Sequence, residues 1–344
     1  MTDSLTRVID LKKLRDEKSY RSGVIRKGIE PELIDDVLQR EEICRKLLQE
    51  VEELRSQQNA ASKDIGRASP EERDAKIAAA AAMKESLQSK EAEYSSAAEA
   101  LDNLTITLPN PANERCPDGG EEDYEVIETT GDCNQAPPMN HSEYGEFMDW
   151  IETEKAAENM GSRFAYLKNE AVLLEFALVQ YVMSKLVGKG FTPVVTPVLV
   201  REEMMIDAGF FPTDRNQVYE LPKDDLFLTG TSEVALAGLH RGDIFEENTL
   251  PARYVGYSSC FRREAGTYGK DTTGIFRVHQ FDKVEMFSFC NPEDSWSELE
   301  MLREIEQEIL NELGLPHRVI LVASEDLGAP AALKYDCEVW LPSE

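Results

Sequence analysis

Five side chains that suit a charged ligand alternate along one predicted strand late in the chain. The run "GIFRVHQFDKVEMFSF" predicts a strand over 275–287 with these residues on one face: Arg277, His279, Phe281, Lys283 and Glu285. Cations suit phosphate groups, an aromatic ring can stack on a base, and a carboxylate can bind an ammonium group. The pattern indicates a site for a nucleotide together with an amine. A solvated strand face with cross-strand ion pairs is the alternative, but exposure would gain nothing for Phe281.

The segment before this strand adds further candidates. "ARYVGYSSCFRRE" predicts a second strand, and the Gly-rich stretch "AGTYGKDTTG" between the two predicts an antiparallel hairpin. Arg262 carries a planar guanidinium that matches the oxygens of a phosphate or a carboxylate. The loop supplies glycines that let the backbone approach a ligand, and one more cation: Gly266, Gly269, Gly274 and Lys270. We therefore expect a basic pocket at the loop end of the hairpin.

The elements that must position this pocket belong to an α+β domain. Over 126–344, helical and β-branched runs alternate in a way that predicts an antiparallel sheet with flanking helices. "EAVLLEFALVQYVMSKLVGKG" is apolar on most sides and predicts a buried helix. "FTPVVTPVLV" predicts a strand, and its prolines restrict that strand to a sheet edge or an interface. The Pro/Gly-rich, acidic stretch 108–125 is interpreted as a linker.

Residues 1–107 predict a separate helical domain. Helix-forming stretches over 31–66 and from Pro70 to about Leu104 flank the short break "GRASPEER". In the second stretch, a heptad seam is formed by Ile77, Ala80, Lys84, Leu87, Glu91, Tyr94, Ala98 and Leu101. A looser seam in the first is formed by Val37, Cys44, Leu48, Val51 and Ile65. The short turn favours an antiparallel coiled-coil arm over 31–104. A dimerising coiled coil, or a hairpin within a helical bundle, is the alternative.

The charge of the chain is unevenly distributed. The 344 residues include 37 basic and 66 acidic side chains, a net charge of -29. Residues 1–110 hold 18 basic and 22 acidic residues, which leaves 19 and 44 for the remainder. An acidic body repels nucleic acid, so we expect any polyanion to contact the N-terminal domain. The six cysteines and four histidines are scattered, which argues against a disulfide framework or a zinc site. We interpret the chain as cytoplasmic, with no apolar run near the roughly 18 to 20 residues of a membrane span.

The motif "CFRREAGTYGKDTTGIFRVHQFDKVE" resembles motif 2 of class II aminoacyl-tRNA synthetases, in the form typical of the seryl-tRNA synthetase family. "TGTSEVAL" resembles that family's serine-binding loop, and the helix from 170 with the strand through Pro197 resembles motif 1. The N-terminal hairpin resembles the arm that grips the long variable arm of the serine tRNA. The resemblance covers essentially the whole chain, in the bacterial form that lacks zinc.

The resemblance implies ATP-dependent formation of seryl-adenylate with Mg²⁺, followed by transfer to tRNA(Ser) and to the selenocysteine tRNA. It also implies a homodimer formed through the helix at 170–187 and the strand at 191–200, with no membrane contact. The implied catalytic residues are Arg262 and Glu264. Serine would contact Thr231, Ser232, Glu233, Arg262 and Glu285; ATP would contact Arg262, Arg263, Glu264, Val278 and Phe281. Phosphate contacts by arm cations are expected at Arg55, Lys63, Arg67 and Arg73.

The sequence departs from the family pattern at its end. In the family, a further segment follows "LPSE" and supplies more ATP contacts, the serine hydroxyl site and the motif 3 arginine. We therefore expect an incomplete catalytic domain, belonging to a longer natural protein. Two other functions stay open: a ligase of the same fold that charges a carrier protein, and a non-catalytic paralogue that acts as a binding protein. The first usually lacks the long arm, and the second would be expected to lose Arg262 or Glu285.

Overall fold

Two compact units make up the chain. The computed structural model describes residues 9–66, 68–134, 137–266 and 274–341. One unit comprises Met1–Glu122 with Ala323–Leu333, and the other comprises Asp123–Val322 with Lys334–Glu344. The first contains the helical arm, and the second contains the strands and the candidate site.

The first unit is built on a long helical hairpin. Its helices are α1 (Leu11–Asp16), α2 (Lys18–Ile25), α3 (Pro31–Ile65) and α4 (Pro70–Thr105). Helices α3 and α4 pack against each other, and each begins with the proline that the sequence predicted. Because an α-helix rises 1.5 Å per residue, 35 residues give an arm about 50 Å long. The predicted antiparallel arm is confirmed.

The apolar seam of the arm is shorter than the heptads predicted. At the base, α1, α2, α3 and α4 enclose a core that includes Leu14, Val24, Val37 and Leu101. Val51 on α3 is the buried seam residue nearest the tip on that helix. The seam positions Leu48 and Ile77 are exposed, at 37% and 47%. The heptad assignment was wrong for these two. Ile77 is followed by five alanines, which supply no large apolar side chain to cover it. Leu48 is exposed to solvent although it lies nearer the base than the buried Val51.

A distant segment of the chain completes the first unit. Ala323–Leu333 groups with it, and the Nζ of Lys27 donates to the carbonyl oxygens of Gly328, Ala329 and Ala331 at 2.7, 3.2 and 3.0 Å. A lysine ammonium has three donors, so these bonds use all of them. Sequence periodicity gave no sign of this pairing, because the partners are about 300 residues apart in the chain.

The second unit is an α+β assembly, as predicted. Its first elements are β1 (Glu125–Thr130), α5 (His141–Phe147), β2 (Ile151–Glu152), α6 (Glu154–Met160), β3 (Tyr166–Leu167), α7 (Glu170–Gly188), β4 (Thr192–Val195) and β5 (Leu199–Val200). Then follow α8 (Glu202–Asp207), β6 (Glu220–Leu221), β7 (Leu226–Leu228), α9 (Glu233–Gly238), β8 (Ala252–Phe261), β9 (Gln280–Phe289), α10 (Ser295–Glu312), β10 (His317–Leu321) and β11 (Tyr335–Val339).

The strands of this unit form several small sheets, of which the one ordered β4-β8-β9 carries the predicted hairpin. Strands β8 and β9 pair antiparallel, and β4 lies parallel to β8 at the sheet edge. The edge position of Pro193 is confirmed. The single strand predicted over 191–200 is instead two strands, β4 and β5, in different sheets. Pro197 lies between them and can donate no ladder hydrogen bond.

Packing of α7 and α10 against one face of this sheet keeps the hairpin rigid. The buried residues there are Leu186, Phe191, Val255 and Ile305. The opposite face of β8 contacts α9, where Leu236 packs against Gly256. A Cβ at Gly256 would lie 2.9 Å from Leu236, so a larger residue there would displace α9 and the loop that precedes it.

Candidate active site

The β8–β9 hairpin holds three of the predicted site residues on one face. Its register pairs Cys260 with Phe281, Ser258 with Lys283 and Gly256 with Glu285. The strand begins at Gln280 rather than at 275, so the prediction was wrong in placing Arg277 and His279 on it. Phe281, Lys283 and Glu285 share a face because strand side chains repeat every second residue.

Arg277 and His279 nevertheless reach the same site by other contacts. The backbone N–H of Arg262 donates to the carbonyl of His279 at 3.0 Å, and the Nδ1 of His279 lies 2.9 Å from the carbonyl oxygen of Arg262. The Nη1 of Arg277 donates to the Oε2 of Glu264 at 2.8 Å. The segment before β9 is thus tied to the segment after β8, which extends the hairpin beyond its strand ladder.

One end of the site is built around the carboxylate of Glu285. The Thr231 hydroxyl donates to its Oε2 at 2.7 Å, and the Nζ of Lys283 lies 2.5 Å from the same oxygen. Glu233 follows Thr231 at the start of α9, and its backbone N–H donates to the Thr231 hydroxyl at 3.2 Å. Burial raises the pKa of the Glu233 carboxyl, the charge of Glu285 adds to the rise, and Lys283 opposes it. This end has the acidic groups that an ammonium needs.

Ser232 occupies a different position from its neighbours. Its side chain is fully buried, and its hydroxyl lies 2.7 Å from the hydroxyl of Ser258 on β8. The contact anchors the loop of Thr231 and Glu233 to the sheet. The Ser232 side chain therefore supports the site rather than lining it.

The other end is a cavity of about 390 Å³. Its lining residues are Phe210, Asp214, Gln217, Val218, Gly230, Phe261, Arg262, Glu264 and Arg277. The Arg262 guanidinium lies over the Phe281 ring, 5.1 Å from its centroid, and its Nε donates to the Gly230 carbonyl at 3.3 Å. Burial raises the pKa of Asp214, and the charge of Arg262 opposes that rise. Arg262 thus places a cation in the cavity and lies next to the Phe281 ring, the combination that suits a nucleotide phosphate and base.

Three predicted ATP contacts lie outside this lining: Arg263, Val278 and Phe281. The Arg263 side chain is exposed, and its guanidinium lies 5.9 Å from the centroid of the Tyr219 ring. Val278 is half-buried in the segment before β9. Phe281 lies beneath the Arg262 guanidinium. The contacts of these three residues with ATP stay predictions.

Two residues that sequence reasoning missed fix the backbone beside Arg262. The side-chain amide of Gln217 makes a pair of bonds with Ala265, donating to its carbonyl and accepting from its N–H, both at 3.0 Å. The Arg163 guanidinium donates to the Glu264 carbonyl at 3.2 Å. Glu264 has a positive φ of 49°, which is uncommon for a non-glycine residue, and these bonds hold it there. No local pattern marks residues that act from so far away in the chain.

The Gly-rich loop is described only at its ends. Gly266 and Gly274 have φ values of 87° and 67°, which glycine adopts without a steric penalty. Gly269 and Lys270 lie outside the described residues. Among the residues that are described, no group of three or more His, Cys, Asp or Glu side chains could hold a metal ion.

The predicted tRNA-binding cations differ in their surroundings. Arg55 on α3 forms an ion pair with Glu91 on α4 at 2.7 Å, so part of its charge is already compensated. Lys63 and Arg73 lie nearer the tip, and neither pairs with a carboxylate in the described part of the arm. Arg67 lies outside the described residues. Binding of tRNA phosphates by these cations stays a prediction.

Helix α7 is the element whose observed exposure differs most from the predicted burial. It was expected to be buried, but Leu186 is its buried residue and Leu173, Leu174 and Phe176 are 69%, 51% and 59% exposed. Its 19 residues are also long and apolar enough to cross a membrane by length and composition alone, so the expectation that no run approaches such a length was wrong. Part of the apolar surface of α7 is therefore exposed rather than packed in the core.

Comparison with known proteins agrees with the geometry. Residues 8–112 match the seryl-tRNA synthetase N-terminal domain, and residues 217–344 match the class II tRNA synthetase core domain of the G, H, P, S and T enzymes. The serine–tRNA ligases of Corynebacterium efficiens and Mycobacterium marinum are 42% and 43% identical to the chain, across 98% of the chain and 81% of each relative.

Solved structures give the same result. Seryl-tRNA synthetase from Pyrococcus horikoshii, complexed with ATP, has a TM-score of 0.89 and 34% identity, and the match covers 97% of this chain and 81% of that one. Cytoplasmic serine–tRNA ligase from Naegleria fowleri, complexed with AMP, has a TM-score of 0.85 and 25% identity, over 98% and 79%. With a nucleotide-type cavity beside a carboxylate pocket and a helical arm, the chain belongs to the seryl-tRNA synthetase family, which consists of ligases that form aminoacyl-tRNA.

Proposed function

We propose that this protein activates serine with ATP and transfers it to tRNA(Ser). The observation that carries the proposal is that a carboxylate and a guanidinium lie at the two ends of the site on one face of the sheet. Glu285 is held by Thr231 and Lys283 at one end, and Arg262 lies over Phe281 at the other. An amino acid offers an ammonium to the first and a carboxylate to the second.

In the first step, a serine carboxylate oxygen attacks the α-phosphorus of ATP, a new P–O bond forms, and pyrophosphate leaves. Arg262 bridges the serine carboxylate and the α-phosphate, and Glu285 with Glu233 holds the ammonium. Phe281 stacks on the adenine, while Glu264 and Val278 contact the adenosine end. Such phosphoryl chemistry depends on positioning and charge neutralisation more than on proton transfer. In the second step, a terminal ribose hydroxyl of the tRNA attacks the acyl carbon and AMP leaves.

Mg²⁺ would enter this site with ATP. The described residues offer no protein cage for a metal, and Mg²⁺ is commonly bound through substrate phosphates and one or two carboxylates. Its contribution would be to share the phosphate charge. The residues of this chain supply the remaining positive charge through Arg262.

The tRNA is proposed to bind through the arm. Residues 1–110 carry 18 basic and 22 acidic side chains, against 19 and 44 in the remainder, and Lys63 and Arg73 near the tip of the arm can bind phosphates. The same arm would recognise the selenocysteine tRNA, as the family resemblance implies. We also propose a cytoplasmic homodimer, in which exposed Leu173, Leu174 and Phe176 of α7 are covered by a second copy.

The test is serine-dependent exchange between ATP and pyrophosphate, measured on the full-length protein. We expect exchange with L-serine and little with other amino acids, followed by charging of tRNA(Ser). Exchange that ignores serine, or its absence in a folded full-length protein, would contradict the proposal.

A further inference from the structure

The ammonium end of the site contains more negative charge than its own lysine balances. Glu285 and Glu233 face the same space from β9 and α9, and Lys283 is the cation in direct contact with Glu285. The side chains of Lys283 and Glu285 are 30% and 23% exposed, so both are largely removed from solvent. Two carboxylates and one internal ammonium leave a net charge of minus one, which a single substrate ammonium neutralises.

The groups around Glu285 explain what Lys283 does there. Thr231 donates a hydrogen bond at 2.7 Å, and Glu233 and Glu306 (from α10) interact with Glu285 as like charges. Cys260 on β8 is a buried thiol whose pKa is raised by burial, so it stays neutral. Without Lys283, Glu285 would lie among carboxylates with a hydroxyl as its direct donor. Like charges at short distance favour uptake of a proton by one member of the group.

Both donors to Glu285 use the same oxygen. Thr231 and Lys283 contact Oε2 at 2.7 and 2.5 Å. This fixes the carboxylate plane between two elements, the loop before α9 and strand β9. The second oxygen, Oε1, is then the one that a substrate amine can use.

We propose that Lys283 is a positioning residue for amino acid activation: its ammonium offsets the like charges around Glu285 and holds Oε2, so that Oε1 binds the substrate ammonium. The inference rests on the proposed function, because it assigns a role toward the same substrate. It adds a residue to those that contact serine, since Lys283 acts through Glu285 rather than on the amino acid.

The experiment compares the full-length wild-type protein with Lys283→Met, Lys283→Arg and the surface control Lys155→Met. Lys155 pairs with Glu158 at 2.6 Å on the exposed helix α6, so its loss removes an ion pair outside the site. Serine-dependent pyrophosphate exchange is measured from roughly pH 6 to 9, a range in which a displaced carboxyl pKa becomes visible. Binding of the sulfamoyl analogue of seryl-adenylate is followed by calorimetry in two buffers of different ionisation enthalpy, which counts the protons released.

For Lys283→Met we expect kcat/KM for serine to fall about tenfold near pH 7 and to recover to within about threefold near pH 9. The acid limb of the profile should move upward by about one pH unit or more, because the extra proton must leave before the ammonium can bind. The variant should release about one more proton per analogue bound than the wild type. Lys283→Arg should restore the wild-type profile, and Lys155→Met should not change it.

A uniform loss of activity at every pH, with no additional proton release, would overturn the assignment and leave Lys283 a structural residue. If Lys283→Met does not fold, Lys283→Gln replaces it with the same expectations, since glutamine can donate to Glu285 but carries no charge. The two proposals fail separately. A wild-type protein without serine-dependent exchange would contradict the proposed function, whereas an active wild type with an unshifted Lys283→Met profile would contradict only this inference.

Discussion

The sharpest test of the site is the substitution Glu285→Gln. Glutamine keeps the shape of the side chain and an oxygen that can accept the Thr231 hydroxyl bond, now 2.7 Å long, but it removes the charge. The substrate ammonium would then enter a site without its main counter-charge. Lys283, whose Nζ lies 2.5 Å from Glu285, would also lose the carboxylate that compensates its charge. Removal of one partner from a buried ion pair costs about 3 to 5 kcal/mol.

The partial exposure of Glu285 favours the lower part of this range of free energies. Because Glu285 is 23% exposed, water compensates part of the loss, and about 3 kcal/mol is the appropriate value. At about 1.4 kcal/mol per factor of ten, kcat/KM for serine should drop about 100-fold or more in pyrophosphate exchange. The KM for ATP should change little, because Glu285 lies at the ammonium end and not in the nucleotide cavity.

The matched control is Glu158→Gln. Glu158 forms an ion pair of similar length with Lys155, but its side chain is 63% exposed, so its loss should leave exchange unchanged. Circular dichroism on both variants establishes that they fold. If Glu285→Gln retains kcat/KM for serine within about threefold of the wild type, Glu285 does not bind the ammonium and the charge argument fails.

Three further changes test other parts of the proposal. Arg262→Lys keeps the charge but loses the planar fork, so exchange should fall by about tenfold or more; wild-type activity would show that bidentate contact is unnecessary. Lys63→Ala with Arg73→Ala should weaken tRNA binding and reduce its salt dependence while sparing exchange; an unchanged salt slope in filter binding would exclude both cations. Leu174→Glu should place a charge in the proposed dimer contact and yield monomers in sedimentation; a stable dimer would mean that this face is not the interface.

The arm and the hairpin could be predicted because they depend on local patterns. The prolines that start α3 and α4 restrict the chain near those residues. Alternation along β9 placed Phe281, Lys283 and Glu285 together. Alternation places Asp282 on the opposite face of β9, where it is a polar exception among apolar residues. In the structure it accepts hydrogen bonds from Tyr257 at 2.5 Å and from Ser259 at 2.7 Å. The hydrogen bond to Asp282, together with burial and the charge of Asp282, raises the pKa of Tyr257 to about 12.

The features that could not be predicted depend on contacts between residues far apart in the chain, or on which apolar surfaces are exposed. The predicted burial of α7 was wrong because apolar composition does not distinguish a core helix from a helix with an exposed apolar face. Gln217 makes two hydrogen bonds to the backbone of Ala265, and Arg163 donates one to the carbonyl of Glu264; neither periodicity nor composition gives a signal for such contacts. Ser232 belonged to a recognised motif, yet its position against Ser258 follows from which way the loop turns.

The strongly acidic body is compatible with a site for a polyphosphate because of how the site cations are paired. Arg277 contacts Glu264, and Lys283 contacts Glu285, so their charges are locally compensated. Arg262 makes its contacts to a backbone carbonyl and to the Phe281 ring, and no ion pair to a carboxylate is found for it in the described part of the chain. Its charge therefore stays available to a phosphate, while the acidic surroundings disfavour polyanions that do not fit the cavity.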